Sequence, residues 1–336
     1  MTGQVIAIGD ALVDLIVKVS KYPSRGGNVW GSAIEMCPGG TAANFAVGLA
    51  RLGVAVAFLG KLGDDAYGRF LLRDLQHEGI EATYTVVDRS EYTGAVFIPV
   101  DAEGERTFFA CAKGAAHTRL RPQEIDPGVV AGAQWLHATG VCLAEGSARE
   151  AVLKAMGLAK DAGVPISFDP NLRLEGDLFP AGLREALDVA FHLAEVVLVS
   201  ADELALLSEA QSIEAGAREI LQDGADMVVV KCGAAGAVGV SQHRRVVVPA
   251  FPTTVVDTTG AGDAFDAGFV AGWLRGLDEA AAIRYANAVA ALNIMGVGAR
   301  ALPRAGEVDH FLDRVSAKEE TYAKGFAEDH PCHPCR

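Results

Sequence analysis

The stretch VVDTTGAGDAFDAGFVAGWL, residues 255–274, carries the clearest structural signal in this sequence. An apolar strand end runs through small residues into an amphipathic helix, which is predicted over Gly262–Leu274. The first amide groups of a helix have no intrahelical acceptor and, with the helix dipole, favour an anion. Gly260, Ala261 and Gly262 would let a ligand come close to that backbone. The pattern therefore predicts an anion site where this helix begins.

Asp263 lies in the first turn of the same helix, where its carboxylate would repel a bound anion. The placement makes sense if Asp263 takes a proton from an attacking hydroxyl while the amides stabilise the transferred group. Aspartate also caps helices, so a structural role is the alternative. The complete GAGD, residues 260–263, favours the catalytic interpretation, with Asp263 as base and the preceding residues as anion hole.

Short apolar runs alternate with helical patterns along the chain. The predicted strands are Val5–Ile8, Val54–Leu59, Gln134–Ala138, Val164–Phe168, Val196–Val199, Met227–Val230 and Arg244–Pro249. The further predicted helices are Ala42–Leu52, Ser147–Ala162, Leu183–Ala194, Ile213–Asp223, Leu277–Met295 and Glu307–Val315. This alternation predicts an α/β fold, a three-layer sandwich with a mostly parallel central sheet.

Residues 14–37 and 92–111 interrupt this rhythm, because polar and apolar side chains alternate there around turn signals. Apolar side chains such as Trp30 and Phe108 need cover, which predicts a small β-sheet lid inserted in one domain of residues 1–316. Ordinary surface hairpins are the alternative. Lid strands with apolar faces also suggest a homodimer in which one lid covers part of the other.

The polar residues 317–336 have no apolar face and are predicted to form a flexible tail. The tail ends in HPCHPC, in which His330, Cys332, His333 and Cys335 could bind Zn²⁺, although accidental thiols are the commoner explanation.

The chain of 336 residues is 50% hydrophobic and has a net charge of -14. Half the chain is therefore available for a buried core, and the negative charge argues against a nucleic-acid coat or an anionic-membrane binder. No apolar run is long enough to predict a transmembrane helix, and the N-terminus lacks a signal-peptide pattern. The six cysteines show no disulfide framework, which is typical of a reducing cytoplasm. We therefore expect a cytoplasmic protein.

DTTGAGDAFDAGF, residues 257–269, resembles the C-terminal signature of the ribokinase-like (PfkB-type) carbohydrate kinases. CPGGTAANFAVGLARLG, residues 37–53, resembles their N-terminal signature, and the resemblance extends over residues 3–315. It implies an ATP-dependent kinase that phosphorylates a hydroxyl of a small sugar or sugar acid, of the fructose or 2-keto-3-deoxygluconate type. A nucleoside kinase of the same fold and a non-catalytic sugar or nucleotide sensor are the alternatives. An NAD site is excluded because Phe265 stands where the dinucleotide fingerprint needs a third small residue.

The resemblance also implies substrate contacts. Paired carboxylates such as Asp10 and Asp14 suit a vicinal diol, and an amide such as Asn44 can both donate to and accept from a hydroxyl. The substrate-binding residues that the resemblance implies are Asp14, Gly39, Gly40, Asn44 and Arg173. Asp10 could be structural. Specificity is expected from the lid and from the surroundings of Lys113.

Further positions are implied for ATP and metal ions. The nucleotide contacts are Asn171 in SFDPNLR, Lys231, Gly233 and Gly236 in VVKCGAAGAVG, and Asn287 in a later helix. Glu203 in LVSADELALL is implied for Mg²⁺, through water. Asp257, with the loop Gly296–Arg300, is implied for a monovalent cation such as K⁺, although Arg300 could supply a fixed positive charge instead.

Overall fold

The computed structural model describes residues 3–316 except 175 and 177, and an eight-stranded sheet forms its centre. Across the sheet the strands are β14 (Arg245–Val248), β13 (Ala237–Ser241), β12 (Met227–Lys231), β11 (Val196–Ser200), β10 (Ile166–Asp169), β9 (Trp135–Thr139), β1 (Val5–Ile8) and β4 (Val56–Leu59). The pairings from β4 through β12 are parallel, whereas β13 and β14 are antiparallel additions at one edge. The predicted mostly parallel sheet is confirmed.

Helices pack on both faces of this sheet. The helices are α1 (Thr41–Arg51), α2 (Ala66–His77), α3 (Pro127–Ala131), α4 (Ala148–Asp161), α5 (Leu183–Leu193), α6 (Ala201–Leu207), α7 (Ile213–Asp223), α8 (Ala261–Leu274) and α9 (Glu279–Asn293). Val5 and Ala7 of β1 pack in one apolar cluster with α1, α8 and α9. Ile6 and Ile8 pack in a second cluster with α4, α5 and α7, because successive side chains of a strand point to opposite faces. The protein is therefore the predicted three-layer α/β sandwich.

Two strands were predicted to begin two residues too early, and the reason lies in how the preceding helices end. The strands were predicted from Val54 and Val164, but they begin at Val56 and Ile166. Val54 N donates to Leu49 O, and Val164 N donates to Ala159 O, so both valines close a helix. In each case the residue before the valine is a glycine with positive φ, which is a common helix C-terminal motif with an apolar residue next to the glycine.

A separate four-stranded sheet confirms the predicted lid sheet. Its strands, in order, are β3 (Glu35–Gly39), β2 (Leu12–Lys18), β7 (Ala95–Val100) and β8 (Phe109–Cys111). We call residues 12–39 and 95–111 the lid. The predicted extended segments were too long, because residues 19–34 between β2 and β3 hold only an isolated bridge from Val19 to Gly31. A short parallel pair, β5 (Lys61–Gly63) and β6 (Val86–Asp88), lies outside both sheets.

The C-terminal part of the described chain is helical over residues 305–316, in line with the helix predicted there. The predicted tail, residues 317–336, and its HPCHPC end lie outside the described residues. Within the described part, Cys37, Cys111, Cys142 and Cys232 are free thiols. No helix among the described residues combines the length and the apolar character needed to cross a membrane.

Candidate active site

Close packing of α1 against α8 brings Asn44 to Asp263. A Cβ added to Gly48 of α1 would lie 2.7 Å from the Cβ of Ala267 in α8, so the small residues allow the helices to approach closely. Asn44 lies one turn before Gly48, and Asp263 lies one turn before Ala267. Asn44 Nδ2 donates a hydrogen bond of 2.7 Å to Asp263 Oδ2. Both side chains are buried, and Asn44 Oδ1 has no partner among the described residues.

Burial makes the Asp263 carboxylate basic. It raises the pKa of Asp263 to about 7, against the opposing effect of the hydrogen bond from Asn44. The negative charge of Asp169 raises the pKa further, whereas Arg173 and Lys231 lower it. A carboxylate with a pKa near neutrality is suited to accept a proton at physiological pH. Asp263 makes no helix-capping hydrogen bond, contrary to the structural alternative.

The start of α8 offers two backbone donors beside this carboxylate. Ala261 N donates to Thr258 O at 3.2 Å, whereas Gly262 N and Asp263 N have no acceptor among the described residues. Gly260 has φ +76°, and a Cβ there would lie 2.7 Å from Ala299 Cα. Only glycine therefore allows the turn that aims these amides outward. The free amides and the glycine turn have the geometry expected of an anion site at this helix start.

Asp14 lies on β2 of the lid sheet, and its environment depends on Gly39 of the neighbouring β3. A Cβ on Gly39 would lie 2.7 Å from Asp14 Oδ2, so glycine leaves room for that carboxylate. Burial raises the pKa of Asp14 to about 6, while the charge of Arg300 lowers it. Gly40 is required by the neighbouring backbone rather than by Asp14, because a Cβ there would lie 2.5 Å from Ala11 Cα.

Asp10 has a structural role. Its carboxylate accepts hydrogen bonds from Thr41 N at 3.0 Å and from Thr41 Oγ1 at 2.7 Å. Ala42 N and Thr139 Oγ1 donate to the same group at 3.4 and 3.3 Å. These bonds satisfy free donors at the start of α1, and they hold the helix that carries Asn44.

Lys231 lies beside the start of α8, between two buried carboxylates. Its Nζ is 3.0 Å from Asp169 Oδ2 and 3.1 Å from Asp266 Oδ1. A Cβ on Gly262 would lie 3.6 Å from the same ammonium group. Burial, with the nearby charge of Asp169, holds the pKa of Asp266 well above its ordinary value, against the effect of Lys231. The two carboxylates therefore hold the Lys231 ammonium group in place beside the helix start.

The segment after β10 brings two predicted residues to the site. Asn171 has φ +37° and is the sole non-glycine residue with positive φ among those described. Its backbone N–H donates to Asp169 Oδ1 at 3.0 Å, and its Nδ2 lies 3.4 Å from Asp169 Oδ2. Arg173 is exposed, but its charge acts on both Asp14 and Asp263.

Glu203 uses both carboxylate oxygens inside the protein. Its Oε2 accepts from Ser200 N and Ser200 Oγ at 2.9 and 2.6 Å, which forms a capping box at α6. Its Oε1 accepts from Leu172 N at 2.7 Å. No group of three His, Cys, Asp or Glu side chains in the described ranges could hold a metal ion directly. Glu203 thus suits an ion bound through water rather than direct ligation.

The other three residues predicted around the nucleotide lie toward the β13–β14 edge of the sheet. Gly236 has φ +96°, and a Cβ there would lie 2.1 Å from Val248 O, so this glycine is required by the β12–β13 hairpin. Gly233 faces open space. Asn287 Nδ2 donates to Val248 O and Pro249 O at 3.2 and 3.1 Å. Its side chain therefore ties α9 to the chain after β14.

The structure corrects the role considered for Arg300. The positive charge beside Asp257 comes from Arg106 of the lid, whose Nη1 and Nη2 lie 2.9 Å from Asp257 Oδ1 and Oδ2. Arg300 instead pairs with Asp74 of α2 at 3.5 Å, and burial lowers its pKa. The hypothesis that Arg300 supplies the charge beside Asp257 is wrong, because its side chain turns toward α2.

Sequence reasoning missed Arg106 and Asp266. Asp266 lies inside the quoted DAFDAGF, one turn after Asp263, and its helical spacing from Asp263 was the available signal. Arg106 lies in DAEGER, which indicated only a turn. No local pattern links Arg106 to Asp257, since 151 residues separate them.

Comparison with known proteins agrees with this geometry. The family model described as pfkB family carbohydrate kinase matches residues 2–305. A fructokinase from Klebsiella pneumoniae is 37% identical over 273 residues, which cover 81% of this chain and 85% of that protein.

Two solved structures are similar over most of the chain. A protein from E. coli described as a ribokinase II, in complex with ATP and Mg²⁺, has a TM-score of 0.83 and 30% identity, and the match covers 93% of this chain and 99% of that one. Aminoimidazole riboside kinase from Salmonella enterica, complexed with aminoimidazole riboside and an ATP analog, has a TM-score of 0.77 and 31% identity, with coverage of 92% and 99%. The chain therefore belongs to the pfkB family of carbohydrate kinases and is a sugar kinase.

Proposed function

We propose that this kinase transfers the γ-phosphoryl group of ATP to a hydroxyl of a small sugar or sugar acid, with Asp263 as general base. The observation that carries the proposal is the pairing of a basic, buried carboxylate with two unpaired amides at the same helix start. A base and an anion hole side by side are what phosphoryl transfer to an alcohol requires.

The acceptor hydroxyl lies against Asp263 in this proposal. Its oxygen forms a bond to the γ-phosphorus as the bond from that phosphorus to the bridging oxygen of ADP breaks, and its proton passes to Asp263. The Gly262 and Asp263 amides donate to the phosphoryl oxygens as they gain charge. Asn44 holds Asp263 through Nδ2, which leaves its buried Oδ1 to accept from another hydroxyl of the substrate.

One acidic side chain, Asp14, and one basic side chain, Arg173, would orient the acceptor. Asp14, with room provided by Gly39, would accept from a pair of hydroxyls, and Gly40 would set the turn beside it. Arg173 would meet the polar or anionic end of the acceptor, because its charge already reaches Asp14 and Asp263. This set favours a ketose or a keto-deoxy sugar acid, and the Klebsiella pneumoniae relative is named a fructokinase.

A riboside is the second candidate acceptor. The observation in its favour is the similarity to the Salmonella enterica kinase that was solved with aminoimidazole riboside. Asp14 and Asn44 suit the hydroxyls of a ribose as well as those of a ketose.

For the phosphoryl donor, the proposed contacts are Asn171, Lys231, Gly233, Gly236 and Asn287. The Lys231 ammonium group behind Gly262 would attract the phosphates. The E. coli neighbour holds ATP and Mg²⁺, and Glu203 fits an ion approached through water. Mg²⁺ would neutralise phosphate charge during transfer.

A screen of acceptors tests the proposal. Wild type and Asp263→Asn are incubated with ATP and with ketoses, keto-deoxy sugar acids or ribosides, and phosphorylated product is measured. We expect turnover of the ketose or sugar acid, and a fall of about 1000-fold in kcat for Asp263→Asn with binding of ATP nearly retained. A variant with ordinary turnover would refute the base assignment.

The same variant should not fail by unfolding. The pKa of Asp263 is raised in the folded protein, so its contribution to stability is present at acid pH and is lost as the pH rises through about 7. A neutral asparagine avoids that loss. We therefore expect Asp263→Asn to unfold at the same or a higher temperature than wild type at pH 8.

No added K⁺ is needed in this proposal, because Arg106 supplies the positive charge at Asp257. Exchange of K⁺ for a bulky organic cation should leave turnover unchanged. Strong activation by K⁺ would contradict this assignment.

We also propose a cytoplasmic homodimer that is formed through the lid. Strand pairing aligns Met36, Leu15, Phe97 and Phe109 across one face of the lid sheet. Three of them are at least 40% exposed, which leaves an apolar row for a second copy to cover.

A further inference from the structure

Arg106 joins the lid to the turn that precedes α8, where phosphoryl transfer is proposed to occur. Residues 102–111, which follow β7 and include β8, are exposed to solvent. The Arg106 guanidinium nevertheless reaches Asp257, and its Nη1 also donates to Thr259 Oγ1 at 2.8 Å. Among the described residues, the other hydrogen bonds of residues 102–111 stay inside the lid. Arg106 therefore connects an exposed loop to the turn before α8.

Asp257 joins this contact to both sides of the anion hole. Its buried carboxylate accepts from Thr259 N at 3.0 Å, immediately before Gly260, and from Gly298 N at 2.8 Å. The next residue, Ala299, packs against Gly260 so closely that a Cβ on Gly260 would lie 2.7 Å from Ala299 Cα. One carboxylate thus fixes the two segments between which the start of α8 is held.

Loss of Arg106 would leave that carboxylate without its cation. The Asp257 side chain is 4% exposed and that of Arg106 is 33% exposed. Burial opposes ionisation of Asp257, but the Arg106 hydrogen bonds and the Thr259 and Gly298 donors hold its pKa well below its ordinary value. A buried charge deprived of its partner must find water or other donors. The Asp257–Thr259 turn would then loosen.

We propose that Arg106 is a positioning residue that couples closure of the lid to completion of the anion hole. The inference rests on the proposed function, because it requires transfer at the Gly262 and Asp263 amides. The two Arg106–Asp257 bonds form when the lid covers the acceptor, and they break when the lid moves away to admit it. The anion hole is therefore complete only over a covered acceptor, which disfavours transfer to water.

The experiment compares Arg106→Gln and Arg106→Lys with Arg25→Gln. Arg25 is an exposed lid arginine with no hydrogen bond or ion pair in the described part of the chain, so it serves as the control. We expect kcat to fall about 100-fold in Arg106→Gln, less in Arg106→Lys, and not in Arg25→Gln. The KM for ATP should change little. Hydrogen exchange of the Thr259 and Gly298 amides should become about tenfold faster in Arg106→Gln.

The exchange measurement separates coupling from a general loss of structure. If kcat falls without faster exchange at Thr259 and Gly298, or if exchange accelerates while kcat stays within about twofold of wild type, the coupling is overturned. Faster exchange throughout the main sheet would also overturn it, since that indicates unfolding. A wild-type protein that phosphorylates no acceptor would contradict the proposed function. An active wild type with an equally active Arg106→Gln would contradict only the coupling.

Discussion

At the scale of single residues, the distinctive feature is a buried carboxylate whose pKa is set by two opposing effects. Burial raises the pKa of Asp263, and the hydrogen bond from Asn44 lowers it, with a result of about 7. Since only the ionised carboxylate accepts a proton, kcat/KM should rise with pH and level off above that value. A profile that is flat between about pH 5 and pH 9 would exclude a base with this pKa.

Asn44→Leu tests the same balance. Removal of the Nδ2 donor should move the acid limb of kcat/KM upward by about one pH unit, because a hydrogen bond to a charged group is lost. Asn287→Leu is the matched control, since Asn287 donates to Val248 O and Pro249 O, away from Asp263. Its midpoint should stay at the wild-type pH whatever happens to its rate. An unmoved midpoint in Asn44→Leu would show that Asn44 does not tune the base.

A residue could be predicted from the sequence when the features that define its role are close to it in the chain. Asp263 and Gly260 could be singled out as candidates because a helix start and its glycines are contiguous in sequence. The contact of Arg106 with Asp257 could not, because it depends on how the lid sheet meets the start of α8. Glu203 could be singled out, but not its commitment to Ser200 and Leu172, which becomes evident only from the folded turn.

At the scale of elements, two glycines at opposite ends of α8 form a matched pair. Gly260 has φ +76° and Gly276 has φ +78°, so alanine strains the backbone similarly at both positions. A Cβ on Gly260 meets Ala299 Cα at 2.7 Å, whereas a Cβ on Gly276 meets open space. Gly276→Ala should therefore lower the free energy of unfolding by about 1 kcal/mol and leave kcat unchanged.

Gly260→Ala should behave differently, because the collision with Ala299 displaces the start of α8. We expect kcat to fall by about 100-fold or more, as when an oxyanion donor is lost. Urea unfolding and steady-state kinetics of both variants make the comparison. Equal kcat values for Gly260→Ala and Gly276→Ala would mean that the position of these amides does not matter for the reaction.

Element boundaries were predictable where the apolar pattern stops with the element, and poorly predictable where an apolar residue closes a helix just before a strand. Residues 5–8 and 213–223 were predicted with the observed bounds, because their apolar patterns stop at the element ends. Val54 and Val164 look like strand residues by type, yet both close helices. Their apolar side chains belong to the end of a helix. Residue type alone does not distinguish that position from the first residue of a strand.

At the scale of the whole molecule, the apolar row on the lid predicts a dimer. Wild type should run in solution at twice the 35.1 kDa of one chain. Phe109→Glu places a charge on a side chain that is 56% exposed in that row, and it should yield monomer. Val189→Glu, on a 45% exposed valine of α5, is the control and should leave the mass unchanged. A wild type that is already monomeric by light scattering would rule out this assembly.

The hydrogen bond from Asn44 to Asp263 has a consequence for how the enzyme comes into being. Its two residues are 219 positions apart in the sequence. During translation, a nascent chain therefore contains Asn44 long before it contains Asp263. The pair can form only after the intervening strands and helices have been synthesised, so folding of the proposed site must wait for synthesis of α8.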